Sequence, residues 1–230
     1  MPRALLTAVL LCALAVAGHA QSDAAAVALQ AVLNRMDSAA KGFQSAEAQF
    51  VWDQFQRVVS ETDTQKGSIY FRRTSKEVQM AADITEPDKK YVLYSGAVVR
   101  VYQPRIDQVT EYKTGANRAE VESFLVLGFG GGGHSLERTF EVRYAGAEPL
   151  AGVPTDKLEL VPRSEKGRNT FSRILLWIDV RGVSVQQQFF EPSGDYRLAR
   201  YLNIKLNQKL PDGAFKLKTT SRTRVVDPQG

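Results

Sequence analysis

The stretch "KYVLYSGAVVRVYQP", residues 90–104, decides the fold class of this 230-residue chain. Two runs rich in valine and tyrosine flank Ser95-Gly96; these residue types favour strands, whereas Ser-Gly favours a turn. The stretch therefore predicts a β-hairpin. A corner at Pro104-Arg105-Ile106 follows, and "DQVTEY" then predicts a third strand of the same antiparallel sheet.

The same period of two extends outward from this hairpin in both directions. Upstream, three strands each carry one apolar face: Ala46, Ala48, Phe50 and Trp52 in the first, Ile69 and Phe71 with Arg73 in the second, and Val78, Met80, Ala82 and Ile84 in the third. Downstream, glycine-containing turns separate predicted strands over 140–145, 155–161, 171–179, 183–190, 195–206 and 214–226. The predicted fold class is mainly β (α+β), an antiparallel meander of about eleven strands.

Two further segments have a helical period. From Val27 to Phe43, apolar residues recur mostly at three- and four-residue steps, with Asp23 as a candidate N-cap and Gly42 at the helix end. Residues 118–127 predict a second helix with one apolar face. Because an apolar helix face must be covered, we expect both helices to lie on the sheet.

The first twenty residues predict a secretory signal peptide. The apolar run over 4–17 is too short to span a bilayer, which takes about 20 residues, and small residues precede Gln21. Cleavage would leave residues 21–230 as a single exported domain. The one cysteine, Cys12, lies in the removed part, so no disulfide is expected.

Few residues after this segment suit catalysis or metal binding. His134 is the one histidine there, whereas a zinc site normally takes three or four Cys, His or acidic ligands. A Ser-His-Asp hydrolase would have to use His134, and "GHSLE" lacks the second glycine of G-x-S-x-G. The net charge of +5 is scattered, without a nucleic-acid motif. We expect no metal, no cofactor and no nucleic-acid partner.

The interior of the sheet has two interpretations, a packed sandwich or a curled sheet around an apolar cavity. Arg73 shares a face with Ile69 and Phe71, so its guanidinium would point inward. That placement is tolerable if it binds backbone carbonyls of a lid, or if it reaches the rim and is solvated. The cavity interpretation predicts this lining from strand parity: Phe50, Trp52, Ile69, Phe71, Met80, Val99, Val101, Leu125, Phe129 and Trp177.

The glycine run "GFGGGGHS", residues 128–135, is close to the phosphate loop G-x-x-x-x-G-K-[ST]. That loop needs a strand before it and a long helix after it, whereas here a predicted helix precedes the run. We therefore expect a hinge within a lid over residues 118–139, formed by Gly128, Gly130, Gly131, Gly132 and Gly133. Phe129 would anchor this lid, Ser135 would cap a helical turn over 135–139, and alanines over 130–133 would slow ligand exchange more than they change stability.

The order of several short motifs resembles the LolA-type outer-membrane lipoprotein carriers over essentially the whole exported part. The motifs are "KGSIYFRR", "VLYSGAVVRVYQPRIDQVTEY", "LELVP", "FSRILLWIDVRG" and "FFEPSGDY". The resemblance implies a curled, incompletely closed antiparallel β-barrel with a helical lid over an apolar cavity. It also implies a periplasmic location, an inner-membrane donor complex and an outer-membrane acceptor. Family members fasten the closed lid with an arginine in the strand after G-x-[IL], which corresponds to Arg73 here.

Three functional hypotheses remain. The first is a monomeric periplasmic carrier that binds acyl chains of lipoproteins, or another lipid, and moves them toward the outer membrane. The second is a lipid-binding sensor or regulatory module of the same fold. The third is a hydrolase that uses His134 as a base, although the first two assign no enzymatic activity.

Overall fold

The computed structural model describes residues 5–115, 124 and 127–228, with side chains from residue 23 onward. Within these ranges the helices are α1 (Leu5–Gly42), α2 (Gly133–Leu136), α3 (Glu165–Thr170) and a 3-10 turn at Pro104–Ile106. The strands are β1 (Ser45–Gln56), β2 (Glu61–Arg73), β3 (Val78–Glu86), β4 (Lys90–Ser95), β5 (Val98–Gln103), β6 (Gln108–Lys113), β7 (Phe140–Ala147), β8 (Thr155–Pro162), β9 (Arg173–Asp179), β10 (Ser184–Phe190), β11 (Tyr196–Leu206) and β12 (Arg224–Val226).

The strands form one curled sheet that does not close into a barrel. Its order is β12-β6-β5-β4-β3-β2-β1-β11-β10-β9-β8-β7, so β1–β6 and β7–β11 are two meanders of sequential neighbours. The two meanders join where β1 pairs antiparallel with β11, with Phe50 opposite Tyr201 among other pairs. The predicted hairpin at residues 90–104 is β4–β5, and the predicted mainly β, open antiparallel fold with an N-terminal helix is confirmed.

The C-terminal strand predicted over 214–226 is wrong except at its end. Only Arg224–Val226 forms a strand, and it pairs parallel with β6 at the sheet edge. Upstream of it, Phe215 packs on the outer side of the sheet. The guanidinium carbon of Arg72 lies 4.1 Å from the centroid of the Phe215 ring. This alternating sequence lies against the outer face of the sheet and does not pair as an additional strand. The alternation of apolar and polar residues alone does not distinguish these two arrangements.

A network at the sheet edge holds β12 in place. Thr223 and Thr220 donate to the Asp107 carboxylate at 2.6 and 2.8 Å, and the Tyr102 hydroxyl donates to it at 3.1 Å. These donors, Thr223 foremost, lower the pKa of Asp107 because they stabilise its ionised form.

The helices also differ from the expected bounds. Helix α1 begins at Leu5 instead of Asp23, because the alanine- and leucine-rich sequence before Asp23 has high helix propensity. Most of the helix predicted over 118–127 lies outside the described residues. Helix α2 covers Gly133–Leu136, so Gly132 is its N-cap, and Ser135, the expected cap of a later turn, lies inside it.

The main core lies on one half of the sheet only. Val32, Leu33 and Met36 of α1 are at most 1% exposed and pack on the β7–β10 meander. The partners on those strands are equally buried: Phe140, Leu158, Leu160, Ile174, Leu176 and Ile178. Helix α1 therefore does not extend over the inner face of β1–β4, and the functional site lies there.

Candidate functional site

An apolar cavity of about 260 Å³ lies on the inner face of the sheet beyond α1. Its walls come from both meanders and are aromatic or aliphatic apart from Gln187, Arg197 and the Tyr201 hydroxyl. The lining comprises Phe50, Trp52, Ile69, Phe71, Met80, Ala82, Ile84, Val92, Phe124, Phe171, Gln187, Phe189, Arg197, Ala199 and Tyr201. The structure thus agrees with a curled sheet around a cavity rather than a fully packed sandwich.

Five of the ten predicted lining residues lie in this wall: Phe50, Trp52, Ile69, Phe71 and Met80. Strand parity places them together because β1, β2 and β3 pair in register, with Ile69 opposite Ala82 and Phe71 opposite Met80. The sequence indicated this half of the wall because large apolar residues recur at every second position of these strands.

The other predicted residues lie elsewhere. Val101 and Val99 are on the same face but opposite Val92 and Tyr94, one strand beyond the cavity wall. Trp177 is opposite Lys157 on the outer face of β9, with the Lys157 ammonium 5.7 Å from its ring, so its placement in the cavity is wrong. The inner positions of β9 are instead Ile174, Leu176 and Ile178. Leu125 lies outside the described residues, and Phe129 has a role described below.

The wall contributed by β10 and β11 was missed. Tyr201 and Ala199 are opposite Phe50 and Trp52, and Phe189 is opposite Arg197. These strands carry glutamine, arginine and tyrosine, which mask the apolar alternation. The pairing of β1 with β11 would have revealed them, because it places Tyr201 and Ala199 on the face already assigned to β1.

Residues 127–136, called the closing segment below, cover one end of the cavity. Phe129 is 1% exposed and stacks on Phe71, with ring centroids 4.8 Å apart. Its ring also meets Tyr201 edge-on at 5.0 Å. Phe129 therefore packs between two lining rings, as expected for an apolar anchor, and seals this end.

A chain of hydrogen bonds connects the cavity wall to the closing segment. The Tyr201 hydroxyl donates to Gln187 Oε1 at 3.1 Å, and Gln187 Nε2 donates to the Leu127 carbonyl. Burial raises the pKa of Tyr201, so the phenol stays protonated and keeps its donor role. The Gly128 carbonyl accepts from Ser184 N at 3.1 Å, which adds a backbone tie to β10.

Arg73 binds the opposite side of the closing segment. Its Nη2 donates to the Gly130 carbonyl at 2.7 Å, and its Nε donates to the Phe43 carbonyl at 3.1 Å. A longer contact of 3.4 Å reaches the Ala40 carbonyl at the end of α1. The guanidinium lies at the partly exposed rim and also contacts three backbone carbonyls. The two placements considered for Arg73, at the solvated rim and bound to backbone carbonyls of a lid, therefore occur together.

The glycine run is packed tightly and is not a free connector. A Cβ at Gly133 would lie 2.4 Å from the Leu33 carbonyl oxygen, and one at Gly130 would lie 2.5 Å from the Phe43 ring. Gly128 and Gly130 also have φ of 77° and 79°, in the left-handed region that favours glycine. These glycines let the closing segment approach α1 and β10 closely.

Gly133→Ala is expected to lower the free energy of unfolding by about 1–3 kcal/mol, because its methyl group meets the backbone of Leu33. Gly42→Ala is the control, since a methyl group at Gly42 would meet nothing within 4 Å. Urea denaturation followed by tryptophan fluorescence measures both. Equal stability of the two variants would contradict close packing at Gly133.

His134 is part of the tie between the closing segment and α1. Its Nδ1 is hydrogen-bonded to the Asp37 carboxylate, and its Nε2 lies 3.1 Å from Gln30 Oε1. The Ser135 hydroxyl donates to the Gly132 carbonyl instead of to the imidazole. Both ring nitrogens thus have structural partners. Across the described ranges, no group of three or more His, Cys, Asp or Glu side chains could hold a metal ion.

The described part of the chain contains no helix that is long and apolar enough to cross a membrane. Comparison with known families gives one result that covers most of the chain: the family model of the outer membrane lipoprotein carrier protein LolA matches residues 41–218. Curated proteins give no match.

Solved structures show the same fold at low identity. An uncharacterized conserved protein from Thermus thermophilus aligns with a TM-score of 0.54 at 12% identity, over 86% of this chain and 98% of its own. A chain of the Pseudomonas aeruginosa MucA/MucB complex aligns with a TM-score of 0.51 at 16% identity, over 82% and 60%. Mycobacterium tuberculosis lipoprotein LppX also aligns, over 80% of this chain and 97% of its own at 13% identity, but its TM-score of 0.48 is too low to show a shared fold.

Proposed function

The chain belongs to the family of the outer membrane lipoprotein carrier protein LolA, and on that premise we propose that it is a periplasmic carrier of acylated cargo. The cargo is the acyl part of a lipoprotein or of another lipid, moved from the inner toward the outer membrane. The apolar cavity under the closing segment carries this proposal. The carrier performs no catalysis and acts as a monomer with membrane-bound donor and acceptor complexes.

The size and chemistry of the cavity suit a flexible apolar ligand. Its volume of about 260 Å³ lies just below the usual range of ligand pockets, about 300–1,000 Å³. In the closed form it therefore has room for part of one acyl chain. A larger cargo would need the closing segment to move away from Phe71 and Tyr201.

The energetics of acyl transfer favour a carrier of this kind. Each buried CH₂ is worth about 0.8 kcal/mol, so a long acyl chain rarely leaves a membrane unaided. Apolar contacts with the cavity wall offset part of the free energy that the acyl chain loses when it leaves the membrane. Around Phe129 the closing segment is held by ring contacts with Phe71 and Tyr201 and by the Arg73 hydrogen bond to Gly130, so a local displacement there can release the chain to an acceptor of higher affinity.

Export is part of the same proposal. Residues 1–20 would be removed before Gln21, leaving residues 21–230 as a single lipid-binding domain. Carriers of this family work outside the cytoplasm, and the short apolar run near the N-terminus supports the same location for this chain.

A lipid-binding sensor is the second candidate. The observation in its favour is the shared fold of a chain from the Pseudomonas aeruginosa MucA/MucB complex, in which two proteins associate. A sensor would hold its lipid while it binds a protein partner, whereas a carrier would give its lipid up to an acceptor membrane.

Native mass spectrometry of protein purified from its own periplasm tests the proposal. A carrier is expected to retain an acylated peptide or a phospholipid, and to start at Gln21. Vesicles of outer-membrane lipid should then remove the ligand. Protein that is ligand-free, and that binds no acyl probe on titration, would contradict both candidates; a ligand that stays bound until a protein partner is added would favour the sensor.

A further inference from the structure

The two ends of the cavity differ in exposure. Along the inner face of β1, Ala48 and Phe50 are buried, Trp52 is half-buried and Gln54 is exposed. The closing segment seals the Phe50 end through Phe129. The end near Trp52 is therefore the more exposed of the two, and the polar end of a bound acyl ligand would lie there.

Arg197 lies at this more exposed end. In the sheet it is opposite Gln54 of β1 and Phe189 of β10, so its side chain leaves the inner face just beyond Trp52 and Ala199. It is the charged member of the cavity lining described above. A charged side chain in an otherwise apolar wall costs desolvation energy, so its contacts decide what it does there.

The guanidinium of Arg197 has one buried donor without a partner in the described structure. Its Nη2 binds Glu191 Oε1 at 2.8 Å, and its carbon lies 5.7 Å from the centre of the Phe171 ring. Its Nε is buried and forms no hydrogen bond with any of the described residues. Buried donors without partners are rare in folded proteins, so this N–H calls for an acceptor from outside the chain.

The surroundings of Nε select the chemistry of that acceptor. Glu191 already balances the charge of Arg197, and its carboxylate would repel a phosphate or a free carboxylate placed beside it. A neutral carbonyl oxygen satisfies one N–H without a second negative charge. Esters and amides carry such an oxygen at the head of an acyl chain.

We propose that Arg197 Nε binds the ester or amide carbonyl oxygen of an acyl ligand whose chain extends into the cavity toward Phe129. This inference rests on the proposed function and adds an orientation and a ligand class to it. The methyl end lies at the sealed end near Tyr201, and the head group lies outside Trp52. The protein would therefore recognise the ester or amide group that joins the acyl chain to its head group.

Two matched probes test this assignment: lauroylglycerol, which has an ester carbonyl, and its dodecyl ether analogue, which has none. Isothermal titration below the micelle concentration measures both with wild type and with Arg197→Met, which keeps a long apolar side chain. Wild type is expected to bind the ester about tenfold more tightly than the ether. Arg197→Met should bind both equally, at the affinity of wild type for the ether.

Glu191→Gln is the control, because it keeps the Nε donor and should keep the ester preference. Arg197→Leu also lacks any side-chain donor and replaces the methionine variant should the latter not fold. Equal wild-type affinity for ester and ether would overturn the carbonyl assignment while leaving the carrier proposal intact. Tighter, Arg197-dependent binding of laurate would overturn it in favour of an anionic head group. Binding of no probe would contradict the proposed function itself.

Discussion

Ala199→Phe is expected to weaken the binding of a single-chain acyl probe about a hundredfold. Ala199 lines the cavity opposite Trp52, so a phenyl ring there occupies space that the ligand would use. If the ring displaces about three or four methylene groups at about 0.8 kcal/mol each, the dissociation constant rises by that factor. The free energy of unfolding should stay the same or rise slightly, since the ring fills empty space.

Leu198→Phe is the matched control for this variant. Leu198 is the neighbour of Ala199 on β11 and is opposite Asp53, so its side chain lies on the other face of the sheet. Displacement of a fluorescent fatty acid measures affinity for both variants. Equal affinity in Ala199→Phe and wild type would show that the acyl chain does not use this cavity.

Arg73→Leu is expected to accelerate the release of a bound acyl probe about tenfold. The substitution removes the hydrogen bond to the Gly130 carbonyl at 2.7 Å and the one to the Phe43 carbonyl at 3.1 Å. Hydrogen bonds from a charged donor contribute about 1.5–3 kcal/mol each, and exposure at the rim reduces this contribution. A tenfold faster release corresponds to the loss of about 1.4 kcal/mol. The fold should remain intact.

Arg72→Leu is the control for the latch, because Arg72 is adjacent in sequence but binds Gln79 and stacks on Phe215 outside the cavity. Stopped-flow release rates distinguish the two variants. Amide hydrogen exchange at Gly128–Gly133 gives an independent measure, and should be faster in Arg73→Leu alone. Unchanged release in Arg73→Leu would remove Arg73 as a latch.

The half of the site that was predictable from the sequence is the half with clean alternation. Phe50 and Trp52 are flanked by Gln49 and Asp53, so their shared face is visible without knowledge of strand order. Trp177 was misplaced because β9 is "RILLWID", with large apolar residues on both of its faces. In such a strand the period of two does not indicate which face meets the cavity.

The remaining half depends on contacts between distant parts of the chain. Gln187, Arg197 and Tyr201 are recognisable as wall residues only after β11 is placed beside β1. The fastening role of Arg73 was expected from a family resemblance, and the atoms it meets are backbone carbonyls, which leave no mark on the sequence. The close approach of Gly133 to Leu33 was also hidden, because a glycine run is compatible with both mobility and tight packing.

The junction of β1 with β11 has a consequence for the order of events during biogenesis. Every other antiparallel contact among the described strands joins strands that follow one another, so each meander can form from local hairpins as the chain emerges. The wall of the cavity needs residues of both meanders, and the junction that unites them must await β11, the last strand of the second meander. We therefore expect a nascent chain to have no affinity for cargo, which prevents it from capturing membrane lipid while it is still being exported.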